Sequence, residues 1–263
     1  MVINNTLRER LEADQPTLGT HFMFVDPDIP ELIGDTGFFD YAEFTAEYAT
    51  FDMQLLYHMA RAGQCGNLPL MIKLDQEAQG FWAQAALGAG FSAVLFTDIR
   101  NPGDVDECYR CMRPDFPGQG GAMGVKLRRP ALGAYDVEAY AVELQRNVIA
   151  IMIEKDLAVD HLDEILERAR DKRVDMTQWG PADFGFSRGE PRMSSTPAIR
   201  QYEELVIAKS LEYGIHPRIE IGAVEQAQRY LDLGVKHFCI GWDRFMYRTS
   251  VARLGEQMRK LIE

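Results

Sequence analysis

The sequence predicts a closed barrel of eight parallel strands with helices between them. Three observations carry this. Eight short apolar runs alternate strictly with eight segments of helical periodicity. No linker or change of composition interrupts the 263 residues, a length within the usual size of one such barrel. Two of the apolar runs deliver a carboxylate at or just beyond their C-terminal ends, where functional groups collect in parallel α/β proteins. One (β/α)8 domain over residues 1–263 is therefore expected.

The candidate strands, in order, are 18–24, 38–44, 68–74, 93–97, 148–153, 174–177, 218–221 and 237–240. The helices between and after them are 30–35, 51–62, 77–89, 103–112, 157–169, 198–213, 224–233 and 243–262, with an extra helix at 136–145 ahead of the fifth strand. The fifth run has almost no polar residue, which suits a strand buried on both faces, and Glu154 follows it directly. The sixth, Val174-Asp175-Met176-Thr177, is shorter, and Asp183 lies beyond it in a Gly-Pro turn. The last helix carries Phe245, Met246, Val251, Leu254, Met258 and Leu261 in roughly one stripe, which would ordinarily cover its own barrel.

Hydrophobic content of 46% with 26% charged residues is ordinary globular composition. A net charge of −12 argues against general binding of nucleic acid or anionic membrane, which calls for basic surface. No run approaches the roughly 20 apolar residues that span a bilayer. The N-terminus lacks the apolar core of a signal peptide, so a cytoplasmic location is expected. Four scattered cysteines do not make a disulfide scaffold, and Cys108 and Cys111, a lone C-x-x-C on a helix, read as structural.

Glu154 and Asp183 at adjacent strand ends would supply two hard oxygen ligands for Mg²⁺ or Mn²⁺, with water and substrate completing the shell. Taken alone, two carboxylates fit helix caps or solvated loop charges better than a metal site. Pro181 fits the first turn of a helix and leaves the amides of Ala182 and Asp183 open, so the Gly180-Pro181-Ala182 segment suits a carboxylate. Two long loops interrupt the alternation. The first, 113–133, is glycine-rich and carries Lys126, Arg128 and Arg129 as candidate anion contacts; the second, 184–197, carries Arg188 and Arg192 for a carboxylate tail. Solvated surface loops are the competing reading of both.

Several pieces stand in a recognisable order: Leu18-Gly19-Thr20, Gly37-Phe38-Phe39-Asp40-Tyr41, Ala46-Glu47-Tyr48-Ala49, Ile153-Glu154-Lys155 with Leu162-Asp163-Glu164-Ile165, Gly180-Pro181-Ala182-Asp183, and Ile240-Gly241-Trp242-Asp243. In these the chain resembles the class II, metal-dependent pyruvate aldolases of the hydroxy-oxo-heptanedioate aldolase family. The resemblance implies a (β/α)8 TIM barrel of the phosphoenolpyruvate/pyruvate superfamily type. It implies a divalent metal on Glu154 and Asp183 (Mg²⁺ or Mn²⁺, with Co²⁺ a further candidate) and an oxo-acid carboxylate on the Gly180–Ala182 backbone. The metal would polarise the keto group and stabilise the enolate. A homo-hexamer is also implied, with the helix at 243–262 packed on a neighbouring subunit.

Departures from the family pattern fall on the chemistry. The second-strand motif Asp-Gly-Glu-His is here Thr45-Ala46-Glu47-Tyr48, so Tyr48 stands where the acid/base His is expected. Lys73 stands for an Arg that contacts the keto oxygen, and Gly88 for an Asp reaching in from a neighbouring subunit. His21 occupies an aromatic position of the first strand and would restore an imidazole to the barrel mouth. Tyr48 ordinarily titrates near 10 and makes a poor base unless that value is strongly lowered. A strand-end Lys73 raises the rival of a Schiff-base aldolase, against which the retained carboxylate pair argues. The expected function is a carbon–carbon lyase acting on a 2-oxo or hydroxy-oxo acid through an enolate. Decarboxylation or condensation on the same enolate, and a catalytically weakened carboxylate-binding barrel, remain alternatives. The acceptor aldehyde, the metal and the stereochemistry are not legible.

Overall fold

The structure, a computed structural model, describes residues 5–126, 136–191 and 196–263. Among these, β1 (Thr17–Phe22), β2 (Tyr41–Thr45), β3 (Leu70–Leu74), β4 (Ala93–Phe96), β5 (Val148–Ile153), β6 (Met176–Trp179), β7 (His216–Ile221) and β8 (His237–Trp242) pair in parallel and in sequence order. Pairing of β8 with β1 closes them into a (β/α)8 barrel. The helices are α1 (Thr6–Glu12), α2 (Asp28–Asp35), α3 (Met53–Cys65), α4 (Gln79–Ala89), α5 (Pro102–Met112), α6 (Val137–Arg146), α7 (Asp156–Asp160), α8 (Leu162–Asp171), α9 (Pro181–Ser187), α10 (Pro197–Glu212), α11 (Ala227–Asp232) and α12 (Asp243–Ile262). No helix among the described residues is long and apolar enough to cross a membrane.

Closure gives every strand residue one of two fates, because side chains alternate between the interior and the helix-covered wall. On β5, Ile149, Ile151 and Ile153 join the core beneath the helices, with Phe44, Ile72, Leu56, Leu87 and Ile165. Val148, Ala150 and Met152 instead join Met71, Leu95 and Met176 inside the barrel. Leu7 and Leu11 of α1 enter that same interior cluster and are buried, so α1 stoppers the N-terminal end. Arg8 fixes the stopper: it donates to both carboxylate oxygens of Asp175, at 2.7 and 2.8 Å, and to the carbonyls of Arg146 and Asn147. A cleft of about 810 Å³ opens at this end beside Arg8, Arg113 and Asp175. Its cations serve structure, since Arg113 donates to the carbonyls of Leu144 and Asn147.

Above the apolar layers the interior turns polar. Arg218 on β7 is fully buried and donates to Tyr41 Oη at 2.6 Å, to Gln178 Oε1 and to Glu43 Oε2. Glu43 is equally buried, and Thr45 Oγ1 donates to its other oxygen. Such a pair is tolerated because its hydrogen-bonding capacity is met within the barrel.

The strand order matches expectation, with shifted ends. β2 starts at Tyr41 rather than 38, because Gly37 turns at φ +69° and Asp40 is occupied accepting the Leu18 amide at 2.8 Å. β6 lies two residues later than expected; Asp175 is spent on Arg8 and on the Ile149 amide. The helix expected at 157–169 is two, separated at His161. α1, only seven residues long, was not anticipated, while α9 starts at Pro181 where a helix start was expected. The C-x-x-C cysteines are buried free thiols in α5, as a structural role requires.

α12 differs from the ordinary expectation for a last barrel helix. None of its residues is buried, and Phe245, Leu254 and Leu261 stand in the open. It is tethered only at its start, where Asp243 accepts the amides of Met23 and Phe24 at 2.9 and 2.7 Å and Tyr247 meets the ring of Phe24. It does not cover its own barrel.

Removing one member of the buried pair strands the other charge. Glu43→Ala and Arg218→Ala are each expected to lower stability by about 3–5 kcal/mol, read as a shift of the urea midpoint at unchanged slope. A double replacement by apolar residues of similar volume should lose much less.

Candidate active site

Three groups of side chains ring the C-terminal mouth of the barrel. The first comes from the ends of β4, β5 and β6. Glu154 directly follows β5 and is buried. Its Oε1 accepts the amide of Asp98 at 2.9 Å, an amide aimed by a left-handed backbone at Asp98 (φ +61°), which Asp tolerates. Its Oε2 lies against Gly180, where any Cβ would collide with it. Lys155 spans Asp98 at 2.5 Å and Asp183 at 3.0 Å. Burial pushes the Glu154 carboxyl up to about 7, Lys73 and the Asp98 amide opposing, Asp183 and Asp98 adding to it.

The second group rises from β2 and β3. Lys73 is buried, forms an ion pair with Glu47 at 2.7 Å and lies over the ring of Tyr48 at 4.9 Å. Burial opposes its charge, but Glu47, Tyr48 and Glu154 prevail and hold it above the usual lysine range. A Schiff-base lysine must reach its neutral form; the surroundings of Lys73 do the reverse, and the class I rival loses its nucleophile. Tyr48 is half exposed at the mouth. Burial of its remainder raises it to about 12 despite Lys73, with Glu47, Asp183 and Glu154 contributing. It is a hydrogen-bond donor at neutral pH and not a base.

The third group lies on β7, β8 and β1. Gly241 turns at φ +78°, and the β1–β8 register shifts there so that Trp242 pairs with His21. The indole Nε1 thereby donates to Glu220 Oε1 at 3.0 Å, and Gln178 Nε2 donates to Glu220 Oε2 at 3.4 Å. His21 Nδ1 lies 3.7 Å from the same oxygen. His21 itself is 1% exposed, packed edge-on against Trp242, with neither ring nitrogen hydrogen-bonded. Burial, then Arg218 and Lys73, hold it well below the usual imidazole range. It lies beneath the mouth, not in it.

The donor set suits a hard divalent cation. Among the described residues no cluster of three or more His, Cys, Asp or Glu side chains is placed to hold a metal. Glu154 and Asp183 are instead two neighbouring carboxylates, Asp183 adding to the rise of the Glu154 carboxyl, with Glu154 Oε2 packed against Gly180. Two anionic oxygens with room for water and substrate are what such a cation takes. Gly180 caps α9 without a side-chain acceptor, its own amide donates to the Ile153 carbonyl at 3.3 Å, and Pro181, which has no N–H, opens the helix, so the first-turn amides of Ala182 and Asp183 are the ones left at its start.

Of the other anticipated residues, Arg188 is engaged with Asp156 at 2.6 Å and lies over Tyr202, which commits its charge within the protein. Arg128 lies outside the described residues. Gly88 is buried in α4 with the Lys126 stem against it. Asp98, Lys155, Glu220 and Trp242 were missed. A signal for Glu220 existed in Arg218-Ile219-Glu220-Ile221, whose period-two alternation puts its charges on one face of the strand.

A (β/α)8 barrel with carboxylates, a lysine and a phenol gathered at the C-terminal mouth is the architecture of an enzyme. Residues 45–249 match the model of the HpcH/HpaI aldolase/citrate lyase family. The chain belongs to this family and is a carbon–carbon lyase. It is 23% identical over 251 residues to a 2-keto-3-deoxy-L-rhamnonate aldolase of Escherichia coli K12, covering 95% of this chain and 91% of that one. Two solved structures share the fold. One is an HpcH/HpaI aldolase/citrate lyase family protein of Burkholderia cenocepacia J2315 (TM-score 0.86, 21% identity, 97% and 100% coverage). The other is the citrate synthase SbnG (TM-score 0.83, 20% identity, 99% and 100% coverage).

The raised carboxyls carry a sign for stability. Glu154 and Glu220 bind protons more tightly folded than unfolded, each at about 7 against an ordinary 4.5. Their contribution is full below the unfolded value and is lost as pH rises through the folded one. Metal-free protein is therefore expected to lose stability as pH rises through about 7, followed by denaturant midpoints, and added Mg²⁺ should reverse the part due to Glu154.

Proposed function

We propose that the chain is a class II aldolase: it cleaves, and in reverse joins, a hydroxy-oxo acid at the bond next to its 2-oxo acid unit, within one barrel spanning the chain. The observation that carries this is the Glu154 carboxylate, buried against Gly180 with Asp183 beside it and within the field of the Lys73 ammonium.

Glu154 and Asp183 would hold Mg²⁺ or Mn²⁺. Bound there, the cation acts as a Lewis acid toward the keto oxygen. The remaining work belongs to the chain. The amides of Ala182 and Asp183, in the first turn of α9 beside Gly180 and Pro181, seat the substrate carboxylate. Lys73, kept as an ammonium by Glu47, offsets negative charge developing on the C2 oxygen. Tyr48 retains its proton and presents its O–H to the acceptor oxygen. The indole of Trp242 lies 6.2 Å from the Tyr48 ring and narrows the mouth on the β8 side. The relative from Escherichia coli is named for a deoxy sugar acid, and we take a hydroxylated oxo acid as the substrate class here.

Glu154→Gln or Asp183→Asn removes an anionic donor that a hard cation requires. Each variant should fold, lose most Mn²⁺ affinity by calorimetry, and lose turnover with pyruvate and a hydroxyaldehyde. Undiminished Mn²⁺ binding in both variants would remove the site. Lys73→Ala should raise KM and lower kcat, because it takes charge from bound substrate and transition state alike.

The exposed α12 supports a homo-oligomer, and we place a hexamer first. A helix of 20 residues reaches about 30 Å, and its apolar residues find no cover on their own barrel, where Phe238 and Ile240 of β8 are themselves half-buried. Light scattering should give a multiple of the 29.8 kDa chain; a monomer at micromolar concentration rejects this assembly.

A further inference from the structure

The lyase reading requires a group that takes a hydroxyl proton and returns it to carbon, and the residues so far assigned do not supply one. Tyr48 holds its proton, Lys73 stays charged, and His21 is enclosed. The β7 end of the mouth holds a carboxylate without a role.

We infer that Glu220 carries the proton in the reaction, with His21 beneath it as a positioning residue. The inference rests on the lyase reading. Three geometric facts support it. The Glu220 side chain keeps 33% of its surface open at the mouth while barrel wall surrounds the rest. It is joined to the reaction side by a continuous run of contacts: Trp242 Nε1 donates to it, the Trp242 ring neighbours Tyr48, and Lys73 lies over Tyr48. Behind it stands an imidazole that is 1% exposed, with neither nitrogen bonded and one of them 3.7 Å from Glu220 Oε2. A buried neutral imidazole has one N–H to give, and a small movement of Glu220 would let it accept that bond. Such a contact selects one rotamer of the carboxylate without neutralising it.

The charges around Glu220 set its range. Burial raises it, and Glu43 on β2 adds to this; Lys73 on β3, Arg218 on β7 and the Gln178 amide on β6 oppose, leaving it at about 7. From β8, the Cys239 thiol below it is neutral, its proton held by burial; from β1, His21 is neutral too. A carboxyl near neutrality suits a group that must both take and give a proton.

In the cleavage direction the Glu220 carboxylate takes the proton of the C4 hydroxyl. The C3–C4 bond breaks, its electron pair passing through C2–C3 to the C2 oxygen, beside Lys73, as C4 becomes the aldehyde carbonyl. After the aldehyde leaves, the Glu220 carboxylic acid returns the proton to C3. Electrons and protons balance, and the 2-oxo acid is released.

The test compares wild type with Glu220→Gln, Glu220→Asp, His21→Ala and Trp242→Phe at saturating Mn²⁺, where Glu154 is held ionised and contributes no limb. Readouts are kcat/KM against pH for pyruvate with a hydroxyaldehyde, and exchange of the pyruvate methyl protons in D₂O. Wild-type joining, in which the Glu220 carboxylate takes the proton from C3, should rise with pH through about 7. Glu220→Gln should lose roughly 10²–10⁴-fold in kcat and lose the limb, with Mn²⁺ affinity unchanged; Glu220→Asp should keep the limb at reduced kcat. His21→Ala should lower kcat with little change in KM and leave a limb in place. Trp242→Phe withdraws a donor from the ionised carboxylate and should move the limb upward in pH, which keeps the inference testable if Glu220→Gln does not fold. An active Glu220→Gln with the wild-type limb, or an unmoved limb in Trp242→Phe, overturns it while the lyase reading stands. Wild type that binds Mn²⁺ but neither exchanges nor cleaves any oxo acid overturns the lyase reading, and this inference with it.

Discussion

The fully enclosed contact between Arg218 and Glu43 sets the terms for everything above it. Two charges out of water cost several kcal/mol each, and their attraction offsets this only when the other donors and acceptors are met. Tyr41 meets them from β2, the strand of Glu43, and Gln178 from the adjacent β6, so two strands converge on a guanidinium carried by a third. The consequence is a barrel with two halves. Below the pair, Met71, Leu95, Ala150 and Met176 pack dry against α1. Above it the interior turns polar, and two of its groups feel a positive charge fixed from beneath: Arg218 helps keep His21 neutral and Glu220 ionisable.

This division explains which parts of the molecule were legible in the sequence. β5 was, to the residue, because both its faces meet apolar neighbours and its run from Val148 to Ile153 contains nothing else. β6 was not, because its interior positions carry Gln178 for Arg218 and its wall position Thr177 donates to Ser210 on α10. A strand that contributes to a polar interior does not look like a buried strand. Glu154 and Asp183 stood out by motif, and so did the replacement of an imidazole by Tyr48. The third side of the mouth was hidden for a physical reason. Trp242 turns inward only because Gly241 takes a positive φ and the β1–β8 register slips, and neither event has a signature in one sequence. His21 was singled out, yet whether an imidazole reaches the mouth or stays under it depends on a pleat that a shifted register decides.

The apolar stripe on α12 was legible while its placement was not. Periodicity says that a face must be covered and not by what. Here the helix leaves its barrel after one turn, held by Asp243 on two successive amides of the segment after β1. Those bonds set its direction at the root, and a rigid helix carries that direction along its full length. One anchoring carboxylate therefore determines which surface the stripe can reach, and its own β8 and β1 are not it.

A barrel mouth makes the location of an acid or base less constrained than its presence. Eight strand ends converge on one space, so a group on β7 faces a reacting centre as readily as one on β2. In the proposed reading Glu154 and Asp183 would set where an oxo acid binds and Lys73 where its negative charge develops, and both would bear on the same few atoms. The proton, by contrast, must be handled at the next carbon and its hydroxyl, a point reached from several sides. In this chain the β2 side is closed to that task, because Glu47 is taken by Lys73 and the phenol of Tyr48 is driven away from neutrality by burial. The β7 side is open to it, because Arg218, held by Glu43 below, moderates a carboxylate that burial would otherwise drive higher still. The buried ion pair and the replacement of the imidazole by Tyr48 are in this view parts of one arrangement, in which charge placed deep in the barrel tunes a group at its rim.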